Sequence, residues 1–319
     1  MRTSTAPPAA DAGQDRPTAP SRPEPHPVAP RPRATPRDRL AVGAFLTPAV
    51  VLVGVVLLAP FVTTIYRSFF NDHRHSAFAG LDNYRLFFTD DALLRSAENT
   101  LLWVAGTVVL PFALGLLIAC LTDATRWSRF ARLCMITPYA LSGAAVAVVW
   151  NFVLSTDGAL NQMLSAVGLG SLSHSWLLDW PGNTLVIICV NAWQATGVAV
   201  ILILVGLQGI PPETLEAAAL DGASPWQRFR FVVLPQLRPV SIIVIGMSLA
   251  NGLKSFDLLW VLTRGGPGRA TETLAVSMYQ ETFLLQRAGA GSAIAVILTV
   301  IVLAASWLYL RRQLGEKGA

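Results

Sequence analysis

Six long apolar runs are the feature that most constrains how this chain can fold. They lie near residues 41–66, 99–121, 133–154, 184–208, 239–262 and 288–310. Each run is long enough to cross the hydrocarbon core of a bilayer, about 30 Å thick, as a helix rising about 1.5 Å per residue. The sequence therefore predicts an all-α fold, that of a polytopic membrane protein with six transmembrane helices.

Charge and cysteine usage argue against several other classes of protein. Only 13% of the 319 residues are charged, against about a quarter in a typical soluble domain. The net charge of +5 does not indicate nucleic-acid binding, because the basic residues fall in short segments between the apolar runs. The three cysteines form no metal-binding pattern, and neither lysine follows a glycine as in a phosphate-binding loop. We expect no metal and no cofactor, and any ATP that drives the protein would bind another chain.

Proline content separates a tail from the membrane domain. Residues 1–38 hold ten of the 21 prolines together with Ala, Arg, Ser and Thr, a composition that cannot bury a core. We predict a disordered cytoplasmic tail over 1–38, a transmembrane domain over 39–312 and a short cytoplasmic tail over 313–319. Four further prolines lie inside predicted spans, where neighbouring helices or waters can satisfy the freed carbonyl groups.

The distribution of Lys and Arg predicts an orientation. The segments on the side of the two termini hold sixteen of these residues, and those on the other side hold seven. Without the long first tail the count is nine against seven. The positive-inside rule then places both termini and the connection 209–238 in the cytoplasm. The opposite connections 67–98 and 155–183 carry aromatic residues that either dock a soluble partner or anchor the ends of spans.

The connection 209–238 is polar and carries strong signals for the start and end of helices. Pro212 suits the first turn of a helix and Gly222 suits its C-terminal end. Ser224 can cap a second helix, and Gln227, three residues later, completes a capping box. The sequence thus predicts two short helices that meet at a glycine corner.

The second of these helices has an apolar face. Trp226, Phe229 and Val233 recur at helical spacing, and Pro235 and Pro239 break the chain before the fifth span. Such a bent pair is either a docking element for a cytoplasmic partner or a pair of interfacial helices lying on lipid. The small alanine side chains and the acidic residues of the first helix favour docking.

This connection closely resembles the signature loop of binding-protein-dependent ABC transporter permeases. That pattern reads EAA, three residues, G, nine residues, a β-branched residue, any residue and LP. Here it is formed by Glu216-Ala217-Ala218, Gly222, Val232 and Leu234-Pro235. The spacing is long enough that it rarely arises by chance.

Two further elements extend the resemblance to about residues 40–312. GLDNY at 80–84 and LTRGGP at 262–267 resemble the sugar-permease branch related to the maltose and glycerol-3-phosphate uptake systems. The second element is most often found in the first-named permease of such a pair. The resemblance implies a transport subunit of the cell (inner) membrane that is not itself an enzyme.

In that family the loop is a coupling helix that inserts into a cleft on an ATPase subunit. The resemblance implies polar contacts to the ATPase from Glu216 and Asp221, a close fit at Ala217 and Ala218, and a corner at Gly222. It also implies a second permease subunit, two ATPase subunits and an extracytoplasmic solute-binding protein as partners. The solute would be a sugar or a glycerol derivative, carried by alternating access.

Polar side chains inside the fourth and fifth spans are candidates for the solute site, because polar groups are costly there and sugars need hydrogen-bond donors and acceptors. The resemblance implies a site at Gln194, Ala195, Asn251, Gly252 and Ser255. Their side chains differ from the maltose-type pattern, so maltose itself is not predicted.

Lys254 is added to this group because it lies one helical turn from Asn251. The alternative for these residues is structural: Lys254 pairs with Asp257, and the amides bridge helices. Trp150 and Asn151 in the third span are weaker candidates.

Other functions stay open on the sequence. One is an ABC permease for another polar solute, such as a polyamine or phosphate, although the LTRGGP element argues against it. Another is an ion-coupled secondary transporter that uses Lys254 and Asp257 as coupling groups. A membrane enzyme is disfavoured, because no metal-ligand cluster or activated nucleophile lies at a membrane face.

Overall fold

The computed structural model describes residues 36–71, 77–122 and 133–315. The predicted tail therefore lies outside the described residues as far as residue 35, as do residues 72–76, 123–132 and 316–319. Over the described ranges the only extended pairing is an isolated bridge between Phe70 and Phe78. The predicted all-α class is confirmed.

The helices are numbered here in chain order. They are α1 Pro36–Val53, α2 Ala59–Arg67, α3 Asp82–Thr89, α4 Asp91–Thr122, α5 Gly143–Leu154, α6 Ala159–Ala166, α7 Gly182–Gln208, α8 Pro212–Leu220, α9 Pro225–Gln236, α10 Arg238–Lys254, α11 Asp257–Thr263, α12 Leu274–Tyr279 and α13 Ala288–Gly315. Within the described ranges, three segments are π-helical: Gly54–Leu58, Phe229–Val233 within α9, and Gln280–Leu284.

Membrane-spanning helices dominate the described part of the chain. Five helical stretches are long and apolar enough to cross a bilayer: Phe45–Arg67, Asp91–Thr122, Gly143–Ala166, Gly182–Gln208 and Ala288–Tyr309. A sixth candidate is the pair α9 and α10, which passes the same test together but bends by 67° between Gln236 and Arg238. The predicted six spans are reached when this bent pair counts as one.

The third predicted span, 133–154, is not continuous. Residues 133–136 are helical, Thr137–Ala140 form a 3₁₀ turn, and the chain is extended at Leu141 with ψ 144°. Ser142 then starts α5 by accepting a hydrogen bond from the Ala145 N–H at 3.2 Å. Pro138 cannot donate a backbone hydrogen bond, which explains why a helix does not run through this segment.

Two other predicted boundaries also need correction. The second span begins at Asp91 rather than near 99, because the Asp90 carboxylate accepts hydrogen bonds from the N–H groups of Ala92 (2.8 Å) and Leu93 (3.2 Å). The fifth predicted span, 239–262, breaks where Ser255 adopts an extended ψ of 118° between α10 and α11. The N-cap signal at Asp90 was readable from sequence, whereas no proline or glycine marks the break at Ser255.

The chain divides into two compact units, Met1–Gly54 and Val55–Ala319. In the first, the described structure is α1. In the second, α4 packs closely along α7: a Cβ added at Gly115 would lie 2.7 Å from the Cβ of Ala199. Small residues let helices approach in this way within membranes.

The described part of the second unit has three apolar clusters. A central cluster joins α4, α5, α7 and α11 around the fully buried Trp103 and Ile187. Another joins α3 and α4 to α12 and α13 through Phe87, Leu93, Leu274 and Ile294. The last lies beside the loop 209–238 and is called the loop-end cluster. Its buried members are Ala119, Ala199, Val200, Ile203, Leu204, Ile210, Leu237 and Val244.

Candidate functional site

The loop after α7 forms the predicted glycine corner. The N–H of Gly222 donates to the Ala219 carbonyl (3.1 Å) and that of Ala223 to the Ala218 carbonyl (3.0 Å), the two bonds of a Schellman motif. Gly222 has φ +79°, where a residue with a Cβ is strained by about 1 to 2 kcal/mol. A Cβ at this position would meet no atom within 4 Å, so conformation and not space requires the glycine.

The second helix of the loop begins with the predicted capping box. The Ser224 hydroxyl accepts from the Gln227 N–H (3.3 Å), and the Gln227 side-chain carbonyl accepts from the Ser224 N–H (2.7 Å). The predicted break before the fifth span falls at Leu237. Pro235 lies inside α9, and Pro239 occupies the first turn of α10, where a missing N–H costs nothing.

The first helix of the loop is exposed on one side and packs against the loop-end cluster on the other. Glu216, Ala217 and Asp221 are exposed, and Ala218 is half-buried. Leu215, from the same helix, packs against the loop-end cluster.

The apolar face predicted for the second helix is only partly buried. Val233 packs against the loop-end cluster, but Trp226 is 67% exposed. Leu220, in α8, is 89% exposed and was not singled out by the sequence. Both are large apolar side chains that the loop leaves exposed.

A polar cavity of about 190 Å³ lies between α4, α7 and α10. Amides and hydroxyls supply its polar groups, and the remaining lining is aliphatic apart from one tyrosine. Its lining residues are Thr107, Tyr139, Asn191, Gln194, Ala195, Val198, Ala199, Leu202, Val244, Met247, Ser248, Asn251, Gly252 and Ser255. We call it the polar cavity.

Five of the six predicted solute residues line the polar cavity: Gln194, Ala195, Asn251, Gly252 and Ser255. The Gln194 side-chain amide donates to the Leu141 carbonyl at 2.8 Å, which ties α7 to the chain ahead of α5. Gly252 allows α10 to approach α4, because a Cβ there would lie 2.6 Å from the Thr107 hydroxyl oxygen. The Gly252 carbonyl also accepts from the Trp103 indole N–H at 3.1 Å.

Thr107 and Tyr139 also line the polar cavity and were missed by the sequence analysis. Thr107 was detectable as a polar residue within an apolar run, by the reasoning that selected the amides of α7. Tyr139 follows Pro138 in the 3₁₀ turn. Its position depends on the interruption of the third span, which the sequence analysis read as continuous.

Lys254 does not share the polar cavity. It is the last residue of α10, in the same helix as Asn251, yet it is not among the residues that line the polar cavity. Lys254 instead lines a second cavity with Phe256 and Tyr279. The alternative pairing is absent as well: within the described residues, no salt bridge joins Lys254 to Asp257.

Trp150 and Asn151 lie away from the polar cavity. Asn151 donates to the Leu262 carbonyl at 3.0 Å, joining α5 to α11. Trp150 packs against the central cluster and edge-on to Trp193, with ring centroids 5.7 Å apart. The geometry of both residues is that of helix packing.

A buried polar network follows the LTRGGP element at the opposite end of α4 from the loop-end cluster. We call Ser96, Asn99, Arg269, Glu272, Ser277, Glu281 and Arg287 the far-end network. Glu272 is fully buried, and its carboxylate accepts from Arg269 (2.8 Å) and from the Ser277 hydroxyl (2.8 Å). The Asn99 amide donates to the carbonyls of Ala270 (2.8 Å) and Glu272 (3.0 Å). The sequence analysis did not identify this network.

Glu281 is the second buried carboxylate of the far-end network. It lies 3.6 Å from Arg269 and 3.6 Å from Arg287. Burial raises the pKa of Glu281 above its ordinary value, and the two guanidinium groups oppose that shift. Asp90 and Glu272 raise the pKa further through like-charge repulsion.

These features define a polytopic helical membrane protein with a polar cavity among its spans and an exposed, capped loop at one end. The sequence profile of the family described as "Binding-protein-dependent transport system inner membrane component" matches residues 112–313. The chain belongs to this family. It is a multi-pass inner-membrane permease, a transport subunit that is not catalytic by itself.

Curated relatives match the chain over most of its length. The osmoprotective compounds uptake permease protein GgtC of Synechocystis sp. is 33% identical over 84% of this chain and 97% of its own. The sulfoquinovosyl glycerol transport system permease protein SmoG of Agrobacterium fabrum is 32% identical over 86% and 90%. The sn-glycerol-3-phosphate transport system permease protein UgpA of Agrobacterium fabrum is 30% identical over 81% and 89%.

Among solved structures, a chain from the crystal structure of a bacterial alginate ABC transporter in complex with alginate pentasaccharide-bound periplasmic protein has the same fold. The TM-score is 0.73 at 21% identity, covering 86% of this chain and 93% of the other. The likeness at this identity establishes the architecture of the spans.

Proposed function

We propose that the chain is the permease subunit of an ATP-driven importer that carries a sugar or a glycerol derivative. The polar cavity carries this proposal, because the amides of Asn191, Gln194 and Asn251 lie there with the hydroxyls of Ser248 and Ser255. Hydroxyl-rich solutes need such paired donors and acceptors. Relatives named for sulfoquinovosyl glycerol and sn-glycerol-3-phosphate transport support the same class of solute.

The solute contacts in this proposal are Gln194, Ala195, Asn251, Gly252 and Ser255. Lys254 is not among them, because it lines a different cavity. The polar cavity holds about 190 Å³, less than the roughly 300 to 1,000 Å³ typical of small-molecule sites. A second permease facing α7 and α10 would enlarge it, so the complete site is expected at the interface of the two permeases.

The loop 209–238 is the proposed contact with the ATPase. Glu216 and Asp221 offer exposed carboxylates to basic or N–H groups of the partner. Ala217 and Ala218 allow close approach, and Gly222 holds the corner. The capped start of α9 and the Schellman motif make the pair α8 and α9 rigid. A rigid element is needed to transmit a displacement from the ATPase to the spans.

The path from the loop to the polar cavity is short. Leu215, Val233 and Leu237 pack on the loop-end cluster together with residues of α7 and α10. Ala199 and Val244 belong to that cluster and also line the polar cavity. A displacement of the loop therefore acts directly on the two helices that hold the solute residues, as alternating access requires.

The proposed assembly contains this chain, a second permease, two ATPase subunits and an extracytoplasmic binding protein. ATP is bound and hydrolysed by the ATPase subunits. The Lys and Arg count supports a cytoplasmic location for both termini and the loop. The solute then enters from the end of the spans that carries the far-end network.

The test is uptake of labelled sugars and glycerol phosphodiesters by the complete complex in proteoliposomes. Gly222→Asp is the coupling variant, and Gly168→Asp is its matched control. Both glycines have positive φ (+79° and +81°), and a Cβ at either would meet nothing within 4 Å. The two variants therefore carry similar backbone strain, but only one lies in the loop.

We expect Gly222→Asp to abolish uptake and reduce ATPase co-purification, and Gly168→Asp to retain both. Equal behaviour of the two variants would remove the coupling role from the loop. If a loop variant weakens ATPase association equally for every solute and the order of preference among sugars is unchanged, the solute assignment still holds. The two parts of the proposal can therefore fail separately.

A second candidate solute class is a compatible solute other than a simple sugar. The similarity to a permease for osmoprotective compounds favours including it. The ion-coupled alternative has less support, because Lys254 and Asp257 form no pair with each other. Uptake that needs ATP and the binding protein, with no dependence on an ion gradient, is the expected result.

A further inference from the structure

A second cavity lies beside the break between α10 and α11, and residues of α13 form part of its wall. It measures about 430 Å³ and is mostly apolar, with Leu253, Phe256, Met278, Leu298 and Val302 among its walls. Its single charged residue is Lys254. We call it the Lys254 cavity, and it shares no lining residue with the polar cavity.

The ammonium group of Lys254 has no ionic partner among the described residues. The side chain is exposed, and its nearest acidic neighbour in sequence, Asp257, does not pair with it. A cation within a membrane span is costly unless it meets a counter-charge or reaches the headgroup region. The apolar walls and the cation together indicate a ligand that has one anionic end and one apolar end.

The position of Lys254 along its helix places it near a membrane boundary. It ends α10, about 24 Å along the helix axis from Arg238 at about 1.5 Å per residue. The adjoining aromatic cluster supports this depth. Tyr279 lies 5.0 Å from Phe256, 4.8 Å from Trp260 and 5.1 Å from Phe283 by ring centroids, and Trp and Tyr collect at the membrane–water interface.

We propose that the Lys254 cavity binds an anionic phospholipid from the leaflet opposite the loop 209–238. The phosphate lies on the Lys254 ammonium, and one acyl chain fills the apolar cavity. The chemistry of the site favours a lipid, because one cation beside apolar walls matches one phosphate joined to one acyl chain. Long basic side chains reach headgroups in this manner.

The inference is independent of which solute is carried. Its test is native mass spectrometry of the complete transporter complex, purified from nanodiscs that contain equal phosphatidylglycerol and phosphatidylcholine. Lys254→Gln removes the charge and Lys254→Arg keeps it. Val302→Phe fills the cavity, and Arg85→Gln removes an exposed cation that does not line the cavity.

We expect Lys254→Gln to lower the retention of phosphatidylglycerol relative to phosphatidylcholine on the order of fivefold, since one basic residue near the surface contributes about 1 kcal/mol of attraction. Lys254→Arg and Arg85→Gln should retain the wild-type ratio. Val302→Phe should lower the retention of both lipids at this site.

Three results would overturn the proposal. The first is an unchanged lipid ratio in Lys254→Gln, and the second is unchanged retention of both lipids in Val302→Phe. The third is a zero-length carbodiimide cross-link from Lys254 to the second permease in the wild-type complex, which would show that a protein carboxylate and not a phosphate meets the ammonium.

Discussion

The two ends of the membrane unit, Val55–Ala319, both contain an apolar cluster but differ in the buried polar contacts that join their helices. The loop-end cluster is apolar and joins α4, α7 and α10 through Ala119, Ile203 and Val244. The far-end network joins α4 to the chain between α11 and α13 through buried charges and hydrogen bonds. On α4 alone, Asn99 and Ala119 lie about 30 Å apart at about 1.5 Å per residue.

The difference matters because apolar contacts are not directional, whereas hydrogen bonds and ion pairs fix geometry. Helices packed by alanine and aliphatic side chains can shift by small steps and remain buried. The Asn99 and Glu272 bonds would break under the same displacement. We therefore expect the loop end to move during transport and the far end to hold its helices as one body, with the polar cavity between them.

The largest expected effect is at Glu272. Glu272→Ala leaves Arg269 and two hydroxyls without their buried partner, and breaking a buried pair in this way typically costs about 3 to 5 kcal/mol. We expect a much lower thermal midpoint for the purified complex. Glu272→Gln keeps an acceptor for Ser277 and should lose less stability. A midpoint unchanged in Glu272→Ala would show that the far-end network does not hold the structure.

The next effect is at Leu237, which is fully buried at the bend between α9 and α10. Leu237→Ala should cost about 2 to 5 kcal/mol, from lost burial and the cavity left behind. Because the bend links the loop to α10, ATP hydrolysis should also become less dependent on solute-loaded binding protein.

Leu220→Ala is the matched control for Leu237→Ala, since Leu220 is 89% exposed. It should leave the thermal midpoint of the isolated permease pair unchanged while weakening ATPase association. If Leu220→Ala and Leu237→Ala destabilise the permease equally, the loop-end cluster is not the base on which the loop rests.

A smaller effect is expected in the polar cavity. Asn251→Ala removes an amide and, at about 0.5 to 1.5 kcal/mol per hydrogen bond, should raise the KM for uptake roughly two- to tenfold. Neither end of the unit should lose stability. Asn71→Ala, an exposed asparagine outside the cavity, serves as the control, and equal KM values for the two variants would contradict the solute assignment.

The sequence predicted best what depends on neighbouring residues. The capping box at Ser224 and the corner at Gly222 follow from side-chain and backbone preferences that act within a few residues. The apolar runs likewise predicted the spans, and the resemblance selected residues of α7 and α10 that share one cavity.

What the sequence did not predict depends on distant contacts. Asn99 and Glu272 lie far apart in the chain and meet only after α4 packs against the segment that follows α11. The sequence analysis therefore did not single out Glu272, although it is fully buried. Lys254 was grouped with Asn251 on helical spacing alone, whereas the side of α10 that faces the polar cavity depends on how α10 packs against α4 and α7.

The smallest expected effect separates the two ends by their response to pH. Burial raises the pKa of Glu281 above its ordinary 4.5, so the folded state holds this proton more tightly than the unfolded state does. The stabilisation is fully present below about pH 4.5 and is lost as the pH rises through the folded-state value. As the pH rises through that value, wild type should therefore lose stability relative to Glu281→Gln, measured as thermal midpoints at matched pH.

The control is Leu237→Ala, in a cluster with no titratable member, which should shift the thermal midpoint without changing its slope against pH. A slope of the opposite sign at Glu281 would show that Arg269 and Arg287 outweigh burial, and the far-end network would then be strongest at neutral pH.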